Sequence, residues 1–98
     1  MSNLQKFEDL VAWQEAREYV KIIYSLTILP EINKDFRLID QIRGAAISIM
    51  NNLAEGFERH HLKEKIQFYN IARGSCGESR SLLYVLEDSF TTLKTQID

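Results

Sequence analysis

The sequence predicts an all-α protein, an antiparallel up-down helical bundle. Apolar residues recur at steps of three and four through most of the 98 residues, the period of a buried helical stripe. No stretch of alternating apolar and polar residues outlasts that reading, so no strand competes. Four glycines and one proline punctuate the chain, few enough to leave long helices between them. A chain this short is one domain, spanning 1–98, and buries only about 60 to 65% of the surface its unfolded form exposes.

The first helix is expected over about 9–28. Leu10, Trp13, Ala16, Val20, Ile23 and Thr27 form its stripe, and Glu8 and Asp9 suit the positive end of its dipole. Pro30 stops it, because proline lacks an amide donor and pushes the residue before it out of the helical region. Either Asn33 or Asp35 can cap the second helix, expected over about 36–56, whose stripe is Leu38, Ile42, Ala45, Ile49 and Leu53. Gly56 is the residue type that closes a helix in a left-handed conformation. The connection to His61 is then short, and short connections favour antiparallel neighbours.

The third helix, from Leu62 to about residue 88, has the strictest pattern: Tyr69, Ala72, Cys76, Ser79, Leu83, Leu86, Phe90, Leu93 and Ile97. Such a seam normally faces another helix along its whole length. Asp88-Ser89 and Thr91-Thr92 leave two options, one helix running to Ile97 or a fourth starting at about 91–98. The part of the seam formed by Leu83, Leu86, Phe90, Leu93 and Ile97 needs cover from partner copies or from a further segment of chain.

Composition narrows the function classes. Twelve basic residues against 14 acidic ones give a net charge of −2, which does not mark a polyanion-binding chain, although a local patch can still act. One cysteine, Cys76, excludes an intrachain disulfide and fits a reducing cytoplasm. The longest uncharged run, Gly44 to Ala54, has 11 residues, against the roughly 20 of a membrane helix. The N-terminus lacks the charged-then-apolar pattern of a signal peptide, so a cytoplasmic location is expected.

Gln41, Ser48, Asn52 and Glu55 form a polar row beside the apolar stripe of the second helix, and Ser75 and Glu78 lie three apart on the third, between Gly74 and Gly77. A satisfied polar network that fixes helix register and partner choice is the expected reading, because buried amides and carboxylates persist only when hydrogen-bonded. Small glycines there would let a neighbouring helix approach. A cleft using Glu55 and Glu78 as paired carboxylates is the sharper alternative, but no histidine, nucleophile or cation shares the row.

Cys76 lies on the seam, where a cysteine is an inert small hydrophobe, not a nucleophile at a strand-to-helix elbow. Glu58 and His61 have the Glu-x-x-His spacing of di-iron bundles, but such a site needs two of these motifs and two more carboxylates. Neither a metal nor a cofactor is expected, and no catalytic residue is assigned. Arg59, His60, His61, Lys63 and Lys65 make the densest basic run. It reads as a solvated helix entry or as a patch facing nucleic-acid phosphates.

Three blocks appear together: Phe7-x-Asp9-Leu10-x-x-Trp13-Gln14-x-Ala16, then Gln41-Ile42-Arg43-x-Ala45-Ala46-x-Ser48-x-x-x-Asn52-Leu53-Ala54-Glu55-Gly56, then Phe68-x-x-Ile71-Ala72-Arg73-Gly74-Ser75-x-x-Glu78. In this order they resemble the four-helix-bundle proteins of the 23S rRNA-intervening-sequence family. The resemblance implies an antiparallel four-helix bundle, its last helix short or truncated in this chain, that assembles into a ring-like homo-oligomer, by analogy a pentamer, with no established enzymatic activity. It extends to the accessory protein of diversity-generating retroelements, which implies RNA or a reverse transcriptase as an alternative partner. Gly44 departs from the family's usual arginine and Met50 from its frequent proline. The expected function is therefore a non-enzymatic, homo-oligomeric interaction module, with a symmetric RNA-binding ring as the alternative.

Overall fold

The computed structural model describes the backbone of residues 4–97 and the side chains of residues 4–90. Among them are three α-helices, α1 (Val11–Thr27), α2 (Phe36–Glu58) and α3 (Leu62–Ile97), preceded by a 3-10 turn at Phe7–Asp9. No strand occurs among the described residues. The all-α expectation holds, whereas the four-helix arrangement does not: α3 runs unbroken through 91–97, where a fourth helix was one of two options. Asp88, Ser89, Thr91 and Thr92 are weak helix formers, but no glycine or proline follows Gly77 to stop the helix.

The N-terminal turn forms because the Asp9 carboxylate accepts from the amides of Gln5 and Lys6, both at 3.3 Å. Phe7 then packs edge-on against Trp13, ring centroids 5.1 Å apart. α1 buries Ala16, Ile23 and Thr27, which lie on its predicted stripe. Between α1 and α2 the chain turns over Ile32, itself buried. Asp35, not Asn33, caps α2, its Oδ1 accepting from the Leu38 amide at 3.1 Å.

Contact pairs along the helices give the topology. Gly56 faces Tyr69 and Ser48 faces Ser75, while Leu38 and Ile39 share the core with Leu86, so α2 and α3 run antiparallel. Thr27 meets Arg43, and Tyr19 meets Ser79, which places α1 antiparallel to α2 and parallel to α3. α2 is the central helix: both others pack on it, and the backbones of α1 and α3 do not approach each other. The core lies at one end, around Ile23, Ile32, Leu38, Ile39, Ile42, Ala46 and Leu86. At about 1.5 Å per residue the 36 residues of α3 account for the 55 Å long axis and overhang both partners. No helix of the described residues is long and apolar enough to cross a membrane.

Gly56 corrects its sequence reading. It lies inside α2, buried, and no described glycine has positive φ. Its missing side chain is needed for a different reason: a Cβ there would stand 2.5 Å from Cε1 and 2.8 Å from Cδ1 of Tyr69. α2 instead ends at Glu58, and Arg59 turns extended. Gly74 and Gly77 also differ from expectation, since among the described residues no neighbouring helix comes within 4 Å of a Cβ built at either.

Candidate functional site

One hydroxyl-centred hydrogen bond ties each pair of helices. Between α2 and α3, Ser48 Oγ bonds Ser75 Oγ at 2.7 Å, and the Asn52 amide donates to the Ser48 carbonyl at 2.8 Å and to its hydroxyl at 3.0 Å. Between α1 and α2, Arg43 Nε donates to Thr27 Oγ1 at 2.8 Å, while the Thr27 hydroxyl donates to the Ile23 carbonyl at 2.8 Å. Between α1 and α3, the Tyr19 hydroxyl and Ser79 Oγ share a hydrogen bond. Thr27, Ser75 and Ser79 are buried, and among the described residues no buried side-chain nitrogen or oxygen lacks a partner.

Of the six residues of the predicted polar network, the structure thus brings together Ser48, Asn52 and Ser75. Gln41, Glu55 and Glu78 are exposed. Glu55 pairs with Arg59 one turn on, at 2.8 Å. With Ser48 opposite Ser75 and the helices antiparallel, Glu55 and Glu78 are displaced in opposite directions, about 15 Å apart along the axis. They cannot share a proton or flank one bond. Sequence reasoning missed Arg43, Thr27, Tyr19 and Ser79 as partners. The available signal was that Thr27 and Ser79 are hydroxyl residues occupying stripe positions, where an apolar side chain would otherwise sit.

Two of the five residues of the basic run, Arg59 and Lys65, are engaged with the chain itself. Arg59 lies over the Phe68 ring at 4.6 Å as well as on Glu55. Lys65 Nζ donates to the carbonyls of Phe57 at 2.8 Å and Gly56 at 3.2 Å, capping the C-terminal end of α2. His60, His61 and Lys63 stay exposed at the turn. Glu58 ends α2 and His61 precedes α3, so they share no helical face, and no group of metal-ligating side chains occurs among the described residues.

The seam of α3 is rotated slightly from its predicted line. Leu86 is buried, Leu83 half-buried and Phe90 exposed, whereas the side chains of Leu93 and Ile97 lie outside those described. Ser75 and Leu82 turn toward α2 in place of Cys76, which is exposed. The rotation leaves a groove of about 660 Å³ between α1 and α3, floored by Ala16, Ile49, Leu53 and Ala72. Glu15 stands on its α1 side, Arg73 and Arg80 on its α3 side, and Tyr69 lines it. Burial pushes the Tyr69 phenol above its ordinary pKa.

The groove offers an apolar trough for a helix or an elongated apolar group. No curated protein and no solved structure matches the chain. Residues 8–98 do match the family model of the 23S rRNA-intervening sequence protein, spanning all three helices and every polar tie between them, and the chain belongs to that family.

Proposed function

We propose that this protein is a non-enzymatic interaction module that works as a homo-oligomer in the cytoplasm. The observation that carries the reading is the groove: α1 and α3 stand apart on α2, and the trough between them is lined mainly by apolar and small side chains. Large apolar residues are exposed on other faces too, among them Val11, Ile22, Ile71 and Val85. A contiguous exposed apolar trough of this kind marks association. Neighbouring copies cover it, and a ring, with five copies by family analogy, is the closed form such contacts take.

Sedimentation velocity at micromolar concentration tests this. A compact oligomer is the expected result, and a well-folded monomer overturns it. The alternative, a nucleic-acid-binding ring partnered by RNA or a reverse transcriptase, rests on His60, His61 and Lys63, whose exposure at one end of the molecule would be multiplied by symmetry. Filter binding to structured RNA at about 50 and 200 mM salt decides it, since phosphate contacts lose affinity steeply over that range. Absence of binding at the lower salt removes it.

A further inference from the structure

Arg43 is held by an aromatic ring and a buried hydroxyl, both on α1. Its guanidinium carbon lies 4.3 Å from the centroid of the Tyr24 ring, and its Nε donates to the buried Thr27 hydroxyl. The ring contact and the Nε bond together hold the guanidinium against α1. The four remaining N–H groups, on Nη1 and Nη2, have no partner among the described residues. Arg43 is half-buried, so its charge is partly removed from water without an anion to compensate it.

The fork stands at the edge of a recess of about 300 Å³ that Ile28 and Phe36 also line. Phe36 is 75% exposed, the most of any large apolar residue described, and Ile28 is 64% exposed. A fixed arginine fork between two exposed apolar side chains is shaped for a planar carboxylate carried on an apolar surface. A phosphodiester chain fits worse. Asp40 lines the same recess, the chain carries a net −2, and a sugar-phosphate backbone brings no apolar side chain to Ile28 and Phe36.

The complementary surface is on the same molecule. Along the outer face of α1, Val11, Glu15, Glu18 and Ile22 follow one another at helical steps around a shallow depression. Val11 is 63% and Ile22 56% exposed, so two apolar side chains bracket two carboxylates. Glu18 is engaged by Lys21 at 3.1 Å, whereas Glu15 has no partner among the described residues.

We infer that Arg43 of one copy receives Glu15 of a second copy, with Ile28 and Phe36 packed against Val11 and Ile22. This rests on the homo-oligomeric reading above and specifies its contact. The two surfaces differ, so the contact is head-to-tail and generates a ring if the rotation closes. The receptor pre-exists, so little side-chain freedom is lost on docking.

The test is sedimentation velocity over about 1 to 100 μM, with circular dichroism to establish folding. Arg43→Glu and Glu15→Arg should each weaken assembly at least tenfold, and the double variant Arg43→Glu/Glu15→Arg should restore it by reversing the pair. Glu15 is exposed and makes no hydrogen bond or ion pair among the described residues, so its variant reads the interface even where Arg43→Glu melts early. If the wild type assembles and Glu15→Arg assembles equally well, this contact is wrong and the homo-oligomeric reading survives. Loss in both single variants without rescue in the double also overturns the pairing. A monomeric wild type overturns both readings. Loss of RNA retention in Arg43→Glu with assembly intact reassigns the fork to phosphate and overturns the inference.

Discussion

Two glycines of the same helix should respond to alanine with opposite signs. At Gly44 a Cβ meets nothing within 4 Å, whereas at Gly56 it would lie 2.5, 2.8 and 3.1 Å from three ring carbons of Tyr69. Ordinary carbon contacts begin at about 3.5 Å, so the ring must withdraw by about 1 Å. Tyr69 borders the open groove and has room to do so, placing the cost within the usual overpacking range of about 1 to 3 kcal/mol. Against it stands a helix-propensity gain of about 1 kcal/mol at either position. Gly44→Ala should therefore gain about 1 kcal/mol and Gly56→Ala lose about 1 kcal/mol, a melting difference of roughly 8 to 16 °C for a domain of this size. Thermal denaturation followed by circular dichroism at one fixed protein concentration measures it, since association shifts the midpoint. In a Tyr69→Ala background the sign at Gly56 should invert, because the obstacle is gone. A stabilised Gly56→Ala in the wild-type background, or strict additivity with Tyr69→Ala, refutes the close-approach account.

The cap on α2 predicts that Lys65→Met, which keeps the apolar stem but removes the donor, loses about 1 kcal/mol, while Lys63→Ala stays within about 0.5 kcal/mol of wild type; equal urea midpoints for the two would contradict the assignment. The raised pKa of Tyr69 has a definite sign. The folded state holds its proton more tightly, so the contribution is complete below the phenol's ordinary value of 10.0 and is lost as pH rises through the higher folded-state value. Tyr69→Phe should accordingly lose less stability between about pH 9 and 11 than wild type does, and parallel urea curves across that interval would show that the phenol is solvated.

What was legible in the sequence follows from what periodicity encodes. The stripe from Leu10 to Thr27 identified the buried face of α1 because apolar spacing reports burial directly. Gly56 was misread because a glycine after a stripe has two physical uses, a left-handed turn or room for a neighbour, and only the position of Tyr69 distinguishes them. The polar row was half legible. Ser48 and Asn52 lie one turn apart and reach the α3 interface, while Gln41 and Glu55, on the same row, are exposed although α3 runs beside both ends of it. The basic run concealed Lys65, since a charge beside a helix entry and a cap on the preceding helix look alike until the chain folds back. Arg43 was read only as a letter in a family block, because its partners Thr27 and Tyr24 belong to another helix and no local spacing links them.

The three polar ties bear on the groove as well as on helix register. Thr27 with Arg43, Ser48 with Ser75, and Tyr19 with Ser79 each join a different pair of helices. A net contribution of about 0.5 to 1.5 kcal/mol each would be modest for stability, but sliding any helix by one residue would strand a buried hydroxyl at about 1 to 3 kcal/mol. Register is thus fixed by small groups that occupy little volume. The groove floor, with Ala16 and Ala72 beside Ile49 and Leu53, is too shallow for α1 and α3 to close upon each other. Larger residues at those alanines would fill the trough and make the three helices self-sufficient; smaller ties would let the outer helices drift. With Tyr19 and Ser79 bridging α1 and α3, the trough keeps its width whether or not it is occupied, and a partner entering it finds a site whose ordering cost was met when the chain folded.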